Sequence, residues 1–174
     1  MKRISIKMNG SLYASMLEDL SRPHPFAAER VGFVLARLGS LADSGNLVLL
    51  HGYHSIPDDQ YIEDHGVGAR IGCEAITWGM QAAYRGRRTR EGVFHVHLHG
   101  HKGNTGMSVV DRRELPEMVR GFHAVGTEAA HGILILSLNH GSAWVWSARK
   151  NEVVAASKIC VIGHPLGVFD RSAA

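Results

Sequence analysis

Gly92-Val93-Phe94-His95-Val96-His97-Leu98-His99 runs directly into Gly100-His101-Lys102-Gly103-Asn104-Thr105-Gly106 and then, past Met107, into Ser108-Val109-Val110-Asp111. Imidazole and apolar side chains alternate strictly from His95 to His99. That period of two predicts a strand with chemically different faces. His95, His97 and His99 then project from one face. The glycine-rich run after them reads as a loop.

Other elements follow on either side. Ile4, Ile6 and Met8 alternate with polar residues and read as a short half-buried strand. Asn9-Gly10 breaks it, and Ser11 is placed to cap a helix carrying Leu12, Met16, Leu17 and Leu20. Arg22-Pro23-His24-Pro25 ends that helix. Phe26 to Leu38 fits both strand and helix spacing, and Gly32 weakens either. Leu47 to Leu50 reads as a buried strand, and Ile56 to Gly68 as a long polar loop. Cys73 to Tyr84, with Ile76, Met80 and Ala83 at helical spacing, predicts a buried helix. A basic turn spans Arg85 to Arg90. Leu115, Met118, Phe122 and Val125 mark a third helix, with Pro116 near its first turn. Ile133 to Leu138, Ala143 to Trp146 and Lys158 to Ile162 read as strands, the last of these closing the chain. Helices and strands interleave, and pairs late in the sequence look like hairpins. The expected fold is α/β (α+β): a single three-layer domain over residues 1–174, with a mixed β-sheet flanked by helices.

Composition excludes several classes. The chain has 174 residues, 45% apolar and 20% charged, a globular balance. No apolar run approaches the ~20 residues of a membrane helix. The start, MKRISIKMNGS, lacks the apolar core of a secretory signal. Two cysteines, Cys73 and Cys160, are too few for a disulfide scaffold and lack activating neighbours. Both are expected in the core, and the expected compartment is the cytoplasm. A net charge of +3 does not suggest nucleic acid.

Among 12 histidines, the cluster from His95 to His101 carries the chemistry. Alternating imidazoles on one strand face are costly to bury without partners, and neutral imidazole suits zinc. Asp111 offers a carboxylate. Two histidines and one carboxylate leave a fourth position for water, as in catalytic zinc sites. Amidohydrolase barrels also open metal sites with this pattern, but they need ~250 residues.

HxH followed by SxxD resembles the JAMM (MPN+) zinc metalloproteases. His24-Pro25-Phe26-Ala27-Ala28-Glu29-Arg30-Val31-Gly32-Phe33-Val34-Leu35 resembles the segment that carries that family's glutamate. The resemblance covers residues 25 to 111. It implies the JAMM/MPN fold, which is cytidine-deaminase-like, and a Zn2+ ion held by His97, His99 and Asp111. The proline after HxH is absent, and the proline near Glu29 stands further from it than in the family. From His97 to Asp111 is fourteen residues, one more than the family's spacing. His95 with His97 is the rival pair, supported by Phe94 before His95. His101 is expected in a loop or facing substrate. The histidine cluster and glycine-rich loop also resemble a bacterial subset. Its members lie in operons beside ubiquitin-like proteins and homologues of activating and conjugating enzymes, some of them antiviral.

The resemblance implies an isopeptidase or peptidase, deubiquitinase-like, that cuts after the C-terminal glycine of a ubiquitin-like protein. Glu29 would be the general acid/base and Ser108 an oxyanion donor. Alone, Glu29 could equally be a surface carboxylate and Ser108 a helix N-cap. The loops at Lys102 to Gly106 and Ile56 to Gly68 are expected to line the substrate channel. Arg85, Arg87, Arg88 and Arg90 read as a solvated turn or a contact for an acidic partner. Trp144 and Trp146 share one strand face. Three other readings compete: an amidase of the same fold with another substrate, a non-catalytic MPN scaffold, and a relative of DNA-repair proteins.

Overall fold

The computed structural model describes residues 3–40, 45–64, 68–163 and 166–170. His65 and His164, and residues 65–67 of the long loop, lie outside them. The histidine strand is β4 (Glu91–His99). Antiparallel β2 (Val31–Ser40) lies on one side of it and parallel β5 (Gly132–Ser137) on the other. The remaining strands are β1 (Ile4–Asn9), β3 (Asn46–Ser55), β6 (Gly141–Ser147), β7 (Glu152–Ala155), β8 (Lys158–Ile162) and β9 (Gly167–Asp170). Together they form one mixed nine-stranded sheet in the order β7-β6-β5-β4-β2-β3-β1-β8-β9.

Helix α1 (Gly10–Leu20) packs on one face of the sheet. Leu12, Met16 and Leu20 recur every fourth residue, so they form one stripe. They meet Ile6, Val34, Val48, Phe94, Val96 and Leu134. The sheet curls around this helix, and the Ala156 N–H bonds the Ala143 carbonyl at 2.8 Å. The cap is Asn9, not Ser11. Asn9 Oδ1 accepts the Leu12 N–H at 2.7 Å, and the Ser11 hydroxyl donates to the same oxygen.

Helices α2 (Cys73–Gly86) and α3 (Val109–Val125) cover the opposite face. Of the expected stripe, Ala83 is buried and Met80 packs on the core, but Ile76 is exposed. Ala75, Gly79 and Ala82 face inward with Ala83. Gly79 explains why: a Cβ there would come within 3.0 Å of the Phe122 ring and 3.3 Å of Phe33. Small residues let the helix approach the aromatic layer beneath it. Helix α3 starts six residues before its apolar stripe, so Pro116 lies inside it and not in its first turn. Val109 is 76% exposed, so the first turn adds no buried apolar residue to that stripe. Cys73 is exposed at the start of α2 and Cys160 is half-buried, so neither is a core residue. β7 and β9, four residues each, went unread, and β9 follows the strand taken as last.

Behind β4 lies His131, fully buried. Its Nδ1 accepts the Val93 N–H at 3.1 Å, so Nε2 must carry the proton and donate to the Gly126 carbonyl at 2.8 Å. Burial pushes its pKa down to about 4, aided by the charge of His123 and opposed by the Gly126 bond. The unfolded chain therefore takes this proton more readily than the folded one. Stability from neutral His131 is present above pH 6.5 and is lost as pH falls towards 4. The loss should reach about 3 kcal/mol, from ~1.4 kcal/mol per pKa unit. Denaturant titrations at pH 7 and pH 4 should show it, and His131→Asn should reduce the difference between the two pH values. An unchanged difference would remove His131 as its source.

Candidate metal centre

β4 is paired on both edges and buried on both faces, with α1 on one face and α2 and α3 on the other. Phe94, Val96 and Leu98 enter the α1 core, while His95 and His97 turn towards α2 and α3. His97 is 1% exposed, and His99, at the strand's end, is half-buried. Val31 at the start of β2 faces His97 across the ladder. Glu29, two residues earlier, therefore arrives beside the two imidazoles.

Three long-range contacts hold the Glu29 segment. The buried Arg30 guanidinium donates to the carbonyls of Arg22 (3.1 Å) and Pro23 (2.9 Å) and to Asp58 Oδ1 (2.7 Å). The Tyr61 hydroxyl accepts the Val31 N–H and donates to the Val31 carbonyl, both at 3.0 Å. It thus replaces a strand partner where β3 has ended. The Gly68 carbonyl accepts the N–H groups of Ala28 (2.9 Å) and Glu29 (3.1 Å). Gly68 also lies directly against the carboxylate, since a Cβ there would sit 2.1 Å from Glu29 Oε1.

Asp111 comes from the first turn of α3. Ser108 Oγ accepts the Asp111 N–H at 3.1 Å, and Asp111 Oδ2 accepts the Ser108 N–H at 2.7 Å. This reciprocal capping box fixes the carboxylate at a helix N-terminus, where its charge is favoured.

The four elements converge. His97 Nε2 and His99 Nε2 lie 3.1 Å apart. Asp111 Oδ2 is 3.7 Å from the first and 3.8 Å from the second. Donor atoms of Glu29, His97 and His99 all lie within 4.8 Å of one another, so this group could hold a metal ion. Glu29, expected as the acid/base, thus falls in that group with His97 and His99; Asp111, expected as the third ligand, lies outside it but beside both imidazoles, held by Ser108.

No protein-family model matches the chain, and no curated protein matches it.

Burial raises the Glu29 pKa; the His97 charge opposes this, and the Asp111 charge adds to it. Burial also works to raise Asp111. Bonding and charge from His97, with the hydrogen bonds from Ser108, outweigh it and hold Asp111 well below the usual carboxylate range. Burial lowers His99, and the charge of His97 acts the same way. The site thus favours neutral His99 and ionised Asp111, the forms in which each could bind a metal.

His95 is not part of this group. Its ring packs 6.2 Å from Phe33 and 5.4 Å from His97, and burial pushes its pKa down to about 3. His101 is exposed beyond the strand end, and its ring nitrogen Nδ1 lies 3.1 Å from the Lys102 carbonyl. The loop after β4 is fixed: Asn139 Oδ1 accepts the Gly103 N–H, and the Ser137 hydroxyl donates to the Gly103 carbonyl. Gly68, Arg30, Asp58 and Tyr61 were not foreseen. Their partners are distant in sequence, and no local spacing signals them. No helix among the described residues is long and apolar enough to cross a membrane.

Proposed function

We propose that this chain is a zinc-dependent isopeptidase or peptidase of the JAMM/MPN+ kind, acting on the amide bond after the C-terminal glycine of a ubiquitin-like protein. The observation that carries the reading is the convergence of Glu29, His97, His99 and Asp111. A tetrahedral zinc with bonds of 2.0–2.2 Å needs donor atoms about 3.4 Å apart. The spacings of 3.1, 3.7 and 3.8 Å among His97, His99 and Asp111 lie within a few tenths of that. Two imidazoles and a carboxylate are also the donor chemistry of catalytic zinc.

Bound there, zinc supplies Lewis acidity and a water acidified to a pKa of about 7. The chain's own groups do the rest. Glu29, buried and with a raised pKa, takes a proton from the attacking water and returns it to the leaving amine. Ser108 combines the two roles that its sequence left open. Its oxygen lone pair caps α3, and its hydroxyl proton is donated to the oxyanion. Gly68 presses on Glu29 and sets where its carboxylate rests. The chain would work in the cytoplasm, beside activating- and conjugating-enzyme homologues of a bacterial, in some cases antiviral, conjugation pathway. The exposed free thiol of Cys73 suits a reducing compartment.

The test is to incubate zinc-loaded chain with a ubiquitin-like protein extended beyond its C-terminal glycine and follow the mass. A single cut after the glycine is expected. Intact substrates across a panel of ubiquitin-like proteins, with zinc demonstrably bound, would move the reading to an amidase with another substrate. Gly68→Ala offers an internal check. The added methyl displaces the flexible carboxylate and not the fold. An error near 1 Å should cost about 10²-fold in kcat, with zinc content unchanged. Undiminished turnover would show that the Glu29 position is not critical.

A further inference from the structure

We infer that the groove between α3 and the β6–β7 hairpin binds an extended acidic segment of a protein substrate. The groove encloses about 420 Å3, the size of a ligand site. Met107, Arg112 and Arg120 line one wall, and Trp144, Trp146 and Val153 the other. The two tryptophans are half-buried against the core and offer their remaining surface. Tryptophan and arginine are the residues enriched among those that dominate binding energy at interfaces.

Charge selects the occupant. Four charged side chains line the groove. Glu117 is paired with Arg120 at 2.6 Å and Glu152 with Lys150 at 3.1 Å. Arg112 has no carboxylate partner among the described residues. The groove's uncommitted charge is therefore one guanidinium, which takes a carboxylate in bidentate fashion. The shape selects an extended chain. β7 stands at the end of the strand order, so one edge of Glu152–Ala155 carries no strand among the described residues. A peptide adding to that edge would pair through its main chain and send alternate side chains into the groove.

The groove runs beside the helix that carries Asp111. Met107 immediately precedes Ser108, and Arg112 immediately follows Asp111. The substrate role rests on the proposed peptidase activity, whereas the binding does not.

Two of the chain's three tryptophans line the groove, so intrinsic emission reports its occupancy. The probe is a blocked hexapeptide, Thr-Val-Asp-Leu-Thr-Val, set against the same peptide with Lys in place of Asp. Full-length chain, with and without zinc, is titrated with each. The acidic peptide should saturate the emission change at least tenfold more tightly than its lysine counterpart. Arg112 is exposed, so Arg112→Ala should fold normally and lose the preference, and Arg112→Glu should reverse it. Equal response to both peptides, or none at millimolar peptide, would overturn the proposal. So would saturation by a thymidine oligonucleotide in place of the peptide. Because the titration needs no turnover, acidic-peptide preference in a chain that cuts nothing keeps the groove and rejects the peptidase.

Discussion

His97→Ala should reduce bound zinc from about one ion per chain to a trace, and abolish hydrolysis with it. His97 is the donor common to both histidine pairs read from the sequence, and its Nε2 lies within 4 Å of both His99 and Asp111. Removing it leaves too few donors for a closed set. Elemental analysis on folded variant, verified by circular dichroism, is the measurement. Zinc retained near one per chain would place the metal elsewhere. Asp111 needs a gentler change, because its carboxylate also caps α3. Asp111→Ala would lose metal and about 1 kcal/mol of helix stability together. Asp111→Asn keeps an oxygen for the Ser108 N–H while removing the charge, so it should lose zinc affinity with less loss of stability. His95→Ala is the complementary control: it should keep its zinc, since His95 packs against Phe33 outside the donor group.

Glu29→Gln should cut kcat by about 10²–10⁴-fold, the range for losing a general acid/base, and leave zinc in place. The change is nearly isosteric, so contacts with Gly68 persist. This variant also separates two roles that the geometry brings close. Glu29 lies within 4.8 Å of the donor atoms of both histidines, so it could be a ligand in its own right. If so, Glu29→Gln would lose zinc as His97→Ala does. Zinc retained with activity gone supports the acid/base role. Activity retained would exclude it from the chemistry.

The histidine strand was legible because a period of two is a local property of a chain, and His95 to His99 expresses it in both side-chain types. Asp111 and Ser108 were legible through the SxxD resemblance, and the N-cap reading of Ser108 is a local signal as well. Glu29 was found through a resemblance. Its neighbourhood explains why periodicity was silent there: Phe26 to Leu38 begins as an irregular segment and becomes β2 only at Val31. The choice between His95 and His99 is a question of depth along β4, which alternation cannot resolve. It depends on Phe33 from the next strand and on Asp111 from α3. The same limit hid Arg30–Asp58 and Tyr61–Val31, where tertiary contact makes the partner. Helix α2 was found with Met80 and Ala83 on its inner side, but Ile76 was misplaced, since close packing on Phe122 favours glycine and alanine there.

The capping box has a consequence for the metal cycle. One oxygen of Asp111 is anchored by the Ser108 N–H. Glu29 is likewise anchored through its own N–H, and the imidazoles by their strand. Donors anchored in this way would leave little ordering entropy to oppose binding of the proposed ion. Chelation would empty the pocket without melting the domain, and the chain would behave as a reusable receptacle that exchanges zinc with its surroundings.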